Sequence, residues 1–174
     1  TTVVEQAKAL TEQYPETFMI WNILGMSAAQ LKMLDKAIEA YKKCIMLKPD
    51  YAEVYINMGV ALQNQGKLEE AIEAYNKVLL LKPNFAEVYS NMGNVFQSQG
   101  KLEEATEVYK KALSLKPDYV EAYNNMGITL KNLDKLDEAI EAYSKAISYK
   151  PDYVEAFSNM GVAFPGQGKF EEAI

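Results

Sequence analysis

The sequence contains no histidine, no arginine and a single cysteine, Cys44. Without histidine the chain cannot form a Ser-His or Cys-His nucleophile pair, or a zinc site built from histidine and cysteine. One cysteine cannot form an internal disulfide, so nothing indicates an oxidising compartment, and a cytoplasmic location is the expectation. The GxxxxGK[ST] phosphate-binding motif is also missing. We therefore expect no catalytic residues, no metal site and no cofactor.

Positive charge is scarce as well. All 18 basic residues are lysines, and 24 acidic residues give a net charge of −6 and a pI near 4.8. This balance argues against nucleic-acid binding and against anionic membranes. The longest aliphatic run, residues 78–81, is far shorter than the ~20 apolar residues that a spanning helix needs. The N-terminus already has a helical pattern rather than that of a signal peptide. Membrane insertion is therefore not expected.

A period of 34 residues organises the whole chain. It defines complete units at 18–51, 52–85, 86–119 and 120–153, after a half unit at 1–17 and before a truncated unit at 154–174. We interpret 1–174 as one array, and its ends within units as those of a fragment. The residues that mark the period are Gly25, Gly59, Gly93, Gly127 and Gly161; Ala37, Ala71, Ala105 and Ala139; and Pro49, Pro83, Pro117 and Pro151.

Each unit has the pattern of two helices. Apolar residues recur at helical spacing on both sides of a break such as 99–101, and the unit-ending proline stops the second helix. Asp50 followed by Glu53, a pair repeated in later units, predicts a capping box at the start of the first helix. Lys32 and Asp134 replace the glycine between the helices, which predicts looser turns there.

Small and aromatic residues predict how the two helices pack. Gly93 and Ala105 would allow the helices of one unit to approach closely, and the repeated tyrosines, Tyr109 among them, would fill the core around that contact. One unit has too little partner surface to bury both apolar stripes, so neighbouring units must stack into a solenoid.

These residues resemble a known family. Trp21-x-x-Leu24-Gly25, then Ala37-x-x-x-Tyr41, then Pro49 is similar to the tetratricopeptide repeat, and the later units repeat the spacing. The resemblance implies an all-α, right-handed superhelical solenoid of antiparallel helix pairs. It also implies that the first helix of each unit lines a concave groove, in which a protein or extended peptide segment binds without catalysis.

An asparagine recurs in the first helix of four units, and this series is similar to the asparagine ladder of O-linked N-acetylglucosamine transferases. A primary amide offers two donors and an acceptor, which suits the backbone of an extended peptide. In the alternative interpretation, the amides bond to the neighbouring unit. The ladder residues are Asn57, Asn91, Asn125 and Asn159.

Other polar positions border the same groove on a helical wheel. They are Asn22, Ser90, Asn94, Asn124 and Lys131. Only Lys131 is basic, so the cluster of lysine and arginine that holds carboxylate ends of chaperones in related domains is absent. We expect these positions to contribute to specificity for a different ligand.

Two further expectations concern the ends of the array. Pro165 should end or kink the last first-type helix near Phe164, because proline cannot donate to the preceding turn. Apolar residues at both ends, such as Val4 and Phe157, suggest end-to-end self-association. Two alternatives therefore remain beside a binding scaffold: a substrate-recognition segment of a larger enzyme such as a glycosyltransferase, and a self-assembling scaffold.

Overall fold

The structure is a computed structural model that describes residues 3–163, and this part consists of helices and short turns. The helices are α1 Val3–Gln13, α2 Phe18–Gln30, α3 Leu34–Leu47, α4 Ala52–Asn64, α5 Leu68–Leu81, α6 Ala86–Ser98, α7 Leu102–Leu115, α8 Val120–Asn132, α9 Leu136–Tyr149 and α10 Val154–Ala163. We call α2, α4, α6, α8 and α10 the first helices, and α1, α3, α5, α7 and α9 the second helices. None of the described helices has both the length and the apolar character that a membrane span requires.

The chain divides into two compact units, unit 1 over Thr1–Pro83 and unit 2 over Asn84–Ile174. In unit 1 the helix pairs α2–α3 and α4–α5 pack tightly, and α1 and α3 each contact the first helix that follows. In unit 2 the pairs α6–α7 and α8–α9 pack in the same way, with α7 against α8 and α9 against α10. The all-α class and the paired helices predicted from the repeat are confirmed.

The helices of each pair meet at a glycine and a tyrosine. A Cβ atom at Gly93 would lie 2.5 Å from Cε1 of Tyr109, and Gly59 has the same relation to Tyr75. These tyrosine rings are completely buried, so they have no free space into which to move. The close approach predicted at Gly93 is confirmed, and the tyrosine ring is what requires it.

Within residues 3–163, four turns join the two helices of a pair. They form the same pattern of backbone hydrogen bonds, whether glycine or another residue stands at the centre. Gly66 has φ +79°, and the N–H of the next residue, Lys67, donates to the carbonyl of Leu62 at 2.9 Å. Lys32 adopts φ +58°, and the N–H of Met33 donates to Ala28 at the same distance. The prediction of looser turns at Lys32 and Asp134 is therefore wrong. The backbone forms the same cap, and the non-glycine residue takes the strained left-handed conformation.

The predicted capping box is also wrong. Helix α4 begins at Ala52, its N-cap residue is Tyr51, and no side chain caps it. Asp50 falls one residue too early because it lies in the turn after Pro49, where the Tyr51 N–H donates to the Lys48 carbonyl at 3.4 Å.

Self-association through the chain ends stays a prediction, and the apolar residues at the two ends differ in exposure. Val4 and Ala7 are buried against α2 and α3, whereas Val3 is exposed. Phe157 on α10 is exposed. Phe164, Pro165 and Phe170 lie outside the described residues, and so does the kink expected there.

Candidate functional site

Asparagine side chains connect three first helices of unit 2. Asn125 Nδ2 on α8 donates to Asn94 Oδ1 on α6 at 3.0 Å. Asn159 Nδ2 on α10 donates to Asn124 Oδ1 on α8, also at 3.0 Å. Asn124 Nδ2 and Asn125 Oδ1 are 3.4 Å apart, which joins the two bonds into one chain of amides. We call Asn94, Asn124, Asn125 and Asn159 the amide network.

A buried phenol anchors this network. The Tyr109 hydroxyl on α7 donates to Asn94 Oδ1 at 2.6 Å. Burial raises the pKa of Tyr109 above its usual value, so the hydroxyl stays protonated and remains a donor. Asn94 therefore accepts two hydrogen bonds, one from Tyr109 and one from Asn125. Sequence analysis placed Asn94 at the groove but missed its link to Tyr109, because no residue pattern shows which hydroxyl a given amide faces.

The ladder residues differ in how fully they are bonded. Asn125 and Asn159 use their amide nitrogens to bond the first helix of the preceding repeat, as the alternative interpretation expected. The side chains of Asn57 and Asn91 are half-buried and have no hydrogen-bond partner within residues 3–163. The peptide-binding role of the series stays a prediction, and the structure shows which amide atoms are still available for it.

Two expected groove residues lie inside the protein instead. Ser90 and Asn124 are buried, with 2% and 5% exposure, although the helical wheel placed both at the groove border. Asn124 accepts a hydrogen bond from Asn159 on α10, so its side chain links two first helices of unit 2. Asn22 and Lys131 are half-buried on α2 and α8.

In unit 1 the first helix α2 carries an apolar stripe, where α6 of unit 2 has Glu87, Asn91 and Asn94. Met19, Ile23 and Met26 follow helical spacing along α2 and are 57%, 47% and 52% exposed, and Val60 on α4 is 40% exposed. The later 34-residue repeats have glutamate at the position equivalent to Met19, and those glutamates are exposed too. The fold therefore leaves this face of the first helices open even where further repeats follow along the chain. Sequence analysis missed Met19, although a methionine where the later repeats have glutamate is a signal visible in the sequence.

Grooves lie between consecutive second helices in both units. Equivalent grooves run between α1 and α3, α3 and α5, and α7 and α9, with volumes of about 370, 480 and 260 Å³. The α3–α5 groove has Tyr55 and Met58 at its floor and Lys42, Lys77, Glu70 and Glu73 among its lining residues. This mixture of charge recurs in each groove, so it follows from the repeated packing of the second helices.

The described residues offer little for bond-making chemistry. They include no cluster of acidic or sulfur ligands that could hold a metal ion. Cys44 is completely buried, and burial raises the pKa of its thiol to about 11, so little of it is thiolate at neutral pH. What the unit faces offer is hydrogen bonding through amides and contact through apolar side chains.

Solved structures share this arrangement of helices. The chain is 31% identical to the MamA protein, with a TM-score of 0.80 over 91% of this chain and 87% of that one. It is 22% identical to YrrB, described as a TPR protein with an unusual peptide-binding site, with a TM-score of 0.73 over 98% of this chain and 88% of YrrB. At 22% identity, the similarity to YrrB shows a shared fold alone.

A curated relative matches a shorter segment. A peroxisomal targeting signal receptor of Candida albicans is 36% identical over 59 residues, which is 34% of this chain and 10% of the receptor. The match thus spans about a tenth of the receptor's length.

The family model described as TPR repeat matches residues 29–66, 64–100, 93–134 and 133–168. These matches cover most of the chain, and they agree with the glycine–tyrosine packing of the helix pairs. The chain therefore belongs to the tetratricopeptide repeat family.

Proposed function

We propose that this chain is a non-catalytic binding module that holds an extended protein or peptide segment on the exposed sides of its first helices. Membership of a repeat family and the open first-helix faces of both units support this proposal. Of the two relatives whose descriptions mention binding or recognition, YrrB carries a peptide-binding site and the Candida receptor a role in targeting signals. The chemistry of the faces decides which kind of segment fits.

The amide network is the observation that carries the proposal. Asn94 and Asn125 are only half-buried, and each keeps an amide atom that the network uses weakly or not at all. Asn91 adds a third amide on α6 with both of its groups available. Donors and acceptors placed at fixed points can pair with the N–H and C=O groups of an extended backbone.

The face of unit 1 would select side chains rather than backbone. Exposed methionines are flexible and polarisable, so they pack against apolar groups of different shapes. Glu53 on α4 stands at the position equivalent to Met19 but pairs with Lys82, and the exposed Glu16 precedes α2, so Glu16 is the carboxylate beside the stripe that remains for a ligand. A ligand with an apolar side chain next to a lysine or arginine matches this surface.

The experiment starts from peptides selected from a displayed random library with residues 1–174 as bait. The affinity of the selected peptide is then measured for the wild type and for Asn91→Ala combined with Asn125→Ala. We expect the double variant to bind more weakly by about 1–3 kcal/mol, the scale of losing a few interface hydrogen bonds, and to lose about 1 kcal/mol of unfolding free energy because Asn125 no longer donates to Asn94. Asn76→Ala, an exposed asparagine on the second helix α5, serves as the matched control and should bind like the wild type.

Equal binding by the double variant and the wild type would contradict the proposal for the amides. Met19→Glu introduces the residue that the later repeats have at this position, and it tests the apolar stripe separately. It should weaken a peptide with an apolar anchor and leave the fold unchanged, because this position is already exposed.

A further inference from the structure

We infer that Tyr109 is a positioning residue of the first-helix face in unit 2, where it fixes the orientation of the amide network so that Asn94 presents an N–H donor and Asn159 a carbonyl acceptor. The inference rests on the proposed function, since it specifies which peptide groups that face pairs with. It assigns a role in binding to a buried core residue that does not itself touch the ligand.

The first step is the hydrogen bond between Tyr109 and Asn94. The Tyr109 side chain is completely buried, and its hydroxyl lies 2.6 Å from Asn94 Oδ1. A protonated phenol on this side requires an acceptor, so the amide oxygen of Asn94 must point towards it. The amide nitrogen of Asn94 then lies on the other side of the group, with both N–H bonds available.

The orientation passes from Asn94 to the next helix. Because Asn94 presents its oxygen inwards, the group that approaches it from α8 must be a donor, and Asn125 Nδ2 fills this place at 3.0 Å. The carbonyl oxygen of Asn125 is then turned away from α6. Its partner is Asn124 Nδ2 at 3.4 Å, which is too long to saturate it.

The last amide follows the same direction. Asn124 uses its nitrogen towards Asn125, so its oxygen accepts from Asn159 Nδ2 at 3.0 Å. Donation therefore runs from α10 through α8 to α6, and the carbonyl of Asn159 is left at the far end. Reversing Asn94 alone would place two donors against each other at Asn125, so the bond from Tyr109 fixes the orientation of Asn94 and Asn125, and the weaker contact of 3.4 Å passes this orientation on to Asn124 and Asn159.

The equivalent tyrosines show that this anchor is specific to one repeat. Tyr143 occupies the same place in the next repeat, but Ile128 stands at the position equivalent to Asn94, and the buried Tyr143 hydroxyl has no hydrogen-bond partner within the described residues. In unit 1, the Tyr75 hydroxyl bonds Gln63 at 3.4 Å, a much longer distance. Tyr143 therefore provides a matched control in the same unit.

The consequence for a ligand is a defined hydrogen-bond pattern. A peptide carbonyl oxygen pairs with Asn94 Nδ2, and peptide N–H groups pair with the carbonyls of Asn125 and Asn159. A peptide in which an ester replaces one amide keeps its carbonyls but loses an N–H group. Such an ester should lose the one contact, at α8 or at α10, that the missing N–H group would have made, and keep the contact at α6.

The first experiment needs no ligand. Side-chain NH2 groups of the full chain are followed by NMR, and the hydrogen-exchange rate of Asn125 Nδ2 is compared between Tyr109→Phe and Tyr143→Phe. We expect about fivefold faster exchange or more in Tyr109→Phe, corresponding to about 1 kcal/mol of hydrogen-bond energy, and no change in Tyr143→Phe. Unchanged exchange in Tyr109→Phe overturns the inference, whatever a ligand does.

The second experiment uses the peptide acetyl-(Gly-Ser)4-amide, which presents a backbone with only small side chains, and its ester analogue. The peptide should shift the Asn94 NH2 signal in the wild type and in Tyr143→Phe, and much less in Tyr109→Phe. If Asn94 does not respond in the wild type but the exchange experiment succeeds, the proposed function is wrong and the orienting role of Tyr109 stands.

A second variant covers the case in which Tyr109→Phe does not fold. Asn94→Asp keeps an oxygen acceptor for Tyr109 and Asn125 but has no N–H to donate. We expect it to retain slow exchange at Asn125 and to lose most of the peptide response, which for this variant is read from the backbone amide signals of α6, with the wild type as the reference. Fast exchange at Asn125, or an undiminished peptide response, would overturn the inference.

Discussion

Units 1 and 2 share the same helix packing but present different chemistry on their first helices. In both units a glycine of the first helix faces a buried tyrosine of the second helix. On the exposed side, unit 1 has Met19, Ile23 and Met26, whereas unit 2 has amides that bond one another between helices. The repeat thus keeps its packing residues constant and varies the face that stays open, so the proposed function expects ligand recognition at the positions where the repeats differ.

The largest expected effect tests the shared packing. Gly59→Leu in unit 1 and Gly93→Leu in unit 2 should each destabilise the protein by about 2 kcal/mol or more, because the new side chain meets a buried ring. Thermal and denaturant unfolding measure this. The neighbouring Val60→Leu, on the exposed side of α4, should cost far less than Gly59→Leu. Equal melting temperatures for these two variants would contradict the assigned faces.

In unit 2 the residue that follows the packing glycine is Asn94, and its substitution should cost more stability than that of Val60. Asn94→Leu looks harmless on a helical wheel, yet it would leave the buried Tyr109 hydroxyl and the amide of Asn125 without their acceptor. We expect a cost of about 1–3 kcal/mol in unfolding free energy. A cost as small as that of Val60→Leu would mean that the amide network contributes nothing to stability.

A smaller effect separates the two tyrosines of unit 2. Tyr109→Phe should cost about 1 kcal/mol, because Asn94 loses a donor, whereas Tyr143→Phe removes a hydroxyl that has no partner and should be neutral or slightly stabilising. The unfolding free energies of the two variants are compared under identical conditions. The reverse order would contradict the network.

The sequence predicted the packing of the helix pairs more accurately than the chemistry of the exposed first-helix faces. The 34-residue period and the positions of Gly93 and Tyr109 predicted the helix pairs, because close packing leaves few choices of residue. The helix starts were misplaced because Asp50 can serve a turn as well as a cap. Ser90 and Asn124 were wrongly placed at the groove, because a helical wheel shows direction but not which neighbouring helix covers it.

The inter-helix turns allow a stabilising prediction in each unit. Lys32→Gly and Asp134→Gly should raise the unfolding free energy by up to about 1 kcal/mol, since glycine adopts positive φ without strain. Lys32→Gly should gain more, because aspartate tolerates this conformation better than lysine. Gly66→Lys in unit 1 provides the opposite test and should destabilise by a similar amount. A loss of stability in Lys32→Gly would contradict the account of these turns.

The smallest effect concerns an ion pair of unit 1. Lys82 Nζ lies 2.7 Å from Glu53 Oε1, and this hydrogen bond holds the pKa of Glu53 below its usual value. A lowered carboxyl pKa stabilises the fold above the pKa of the unfolded chain, near 4.5, and this contribution is lost as the pH falls through the folded value. Both side chains are about half exposed, so we expect at most about 0.5 kcal/mol.

The matched variant lies in unit 2. Glu87 is the equivalent residue and forms no ion pair within the described residues. The stability of the wild type should fall as the pH drops from about 5 to 3, and this loss should be slightly smaller in Glu53→Gln. Glu87→Gln should change the loss less. Identical pH profiles for the two variants would mean that the ion pair with Lys82 is too weak to register.

The most direct test of the account is to locate a selected peptide on the chain by NMR chemical-shift mapping. Binding on the first-helix faces predicts the largest shifts in α6 and α8, around Asn91, Asn94 and Asn125, with further shifts at Met19 and Ile23 for peptides with an apolar anchor. Shifts confined to the second-helix grooves, such as the α3–α5 groove lined by Lys42 and Lys77, would contradict the central claim.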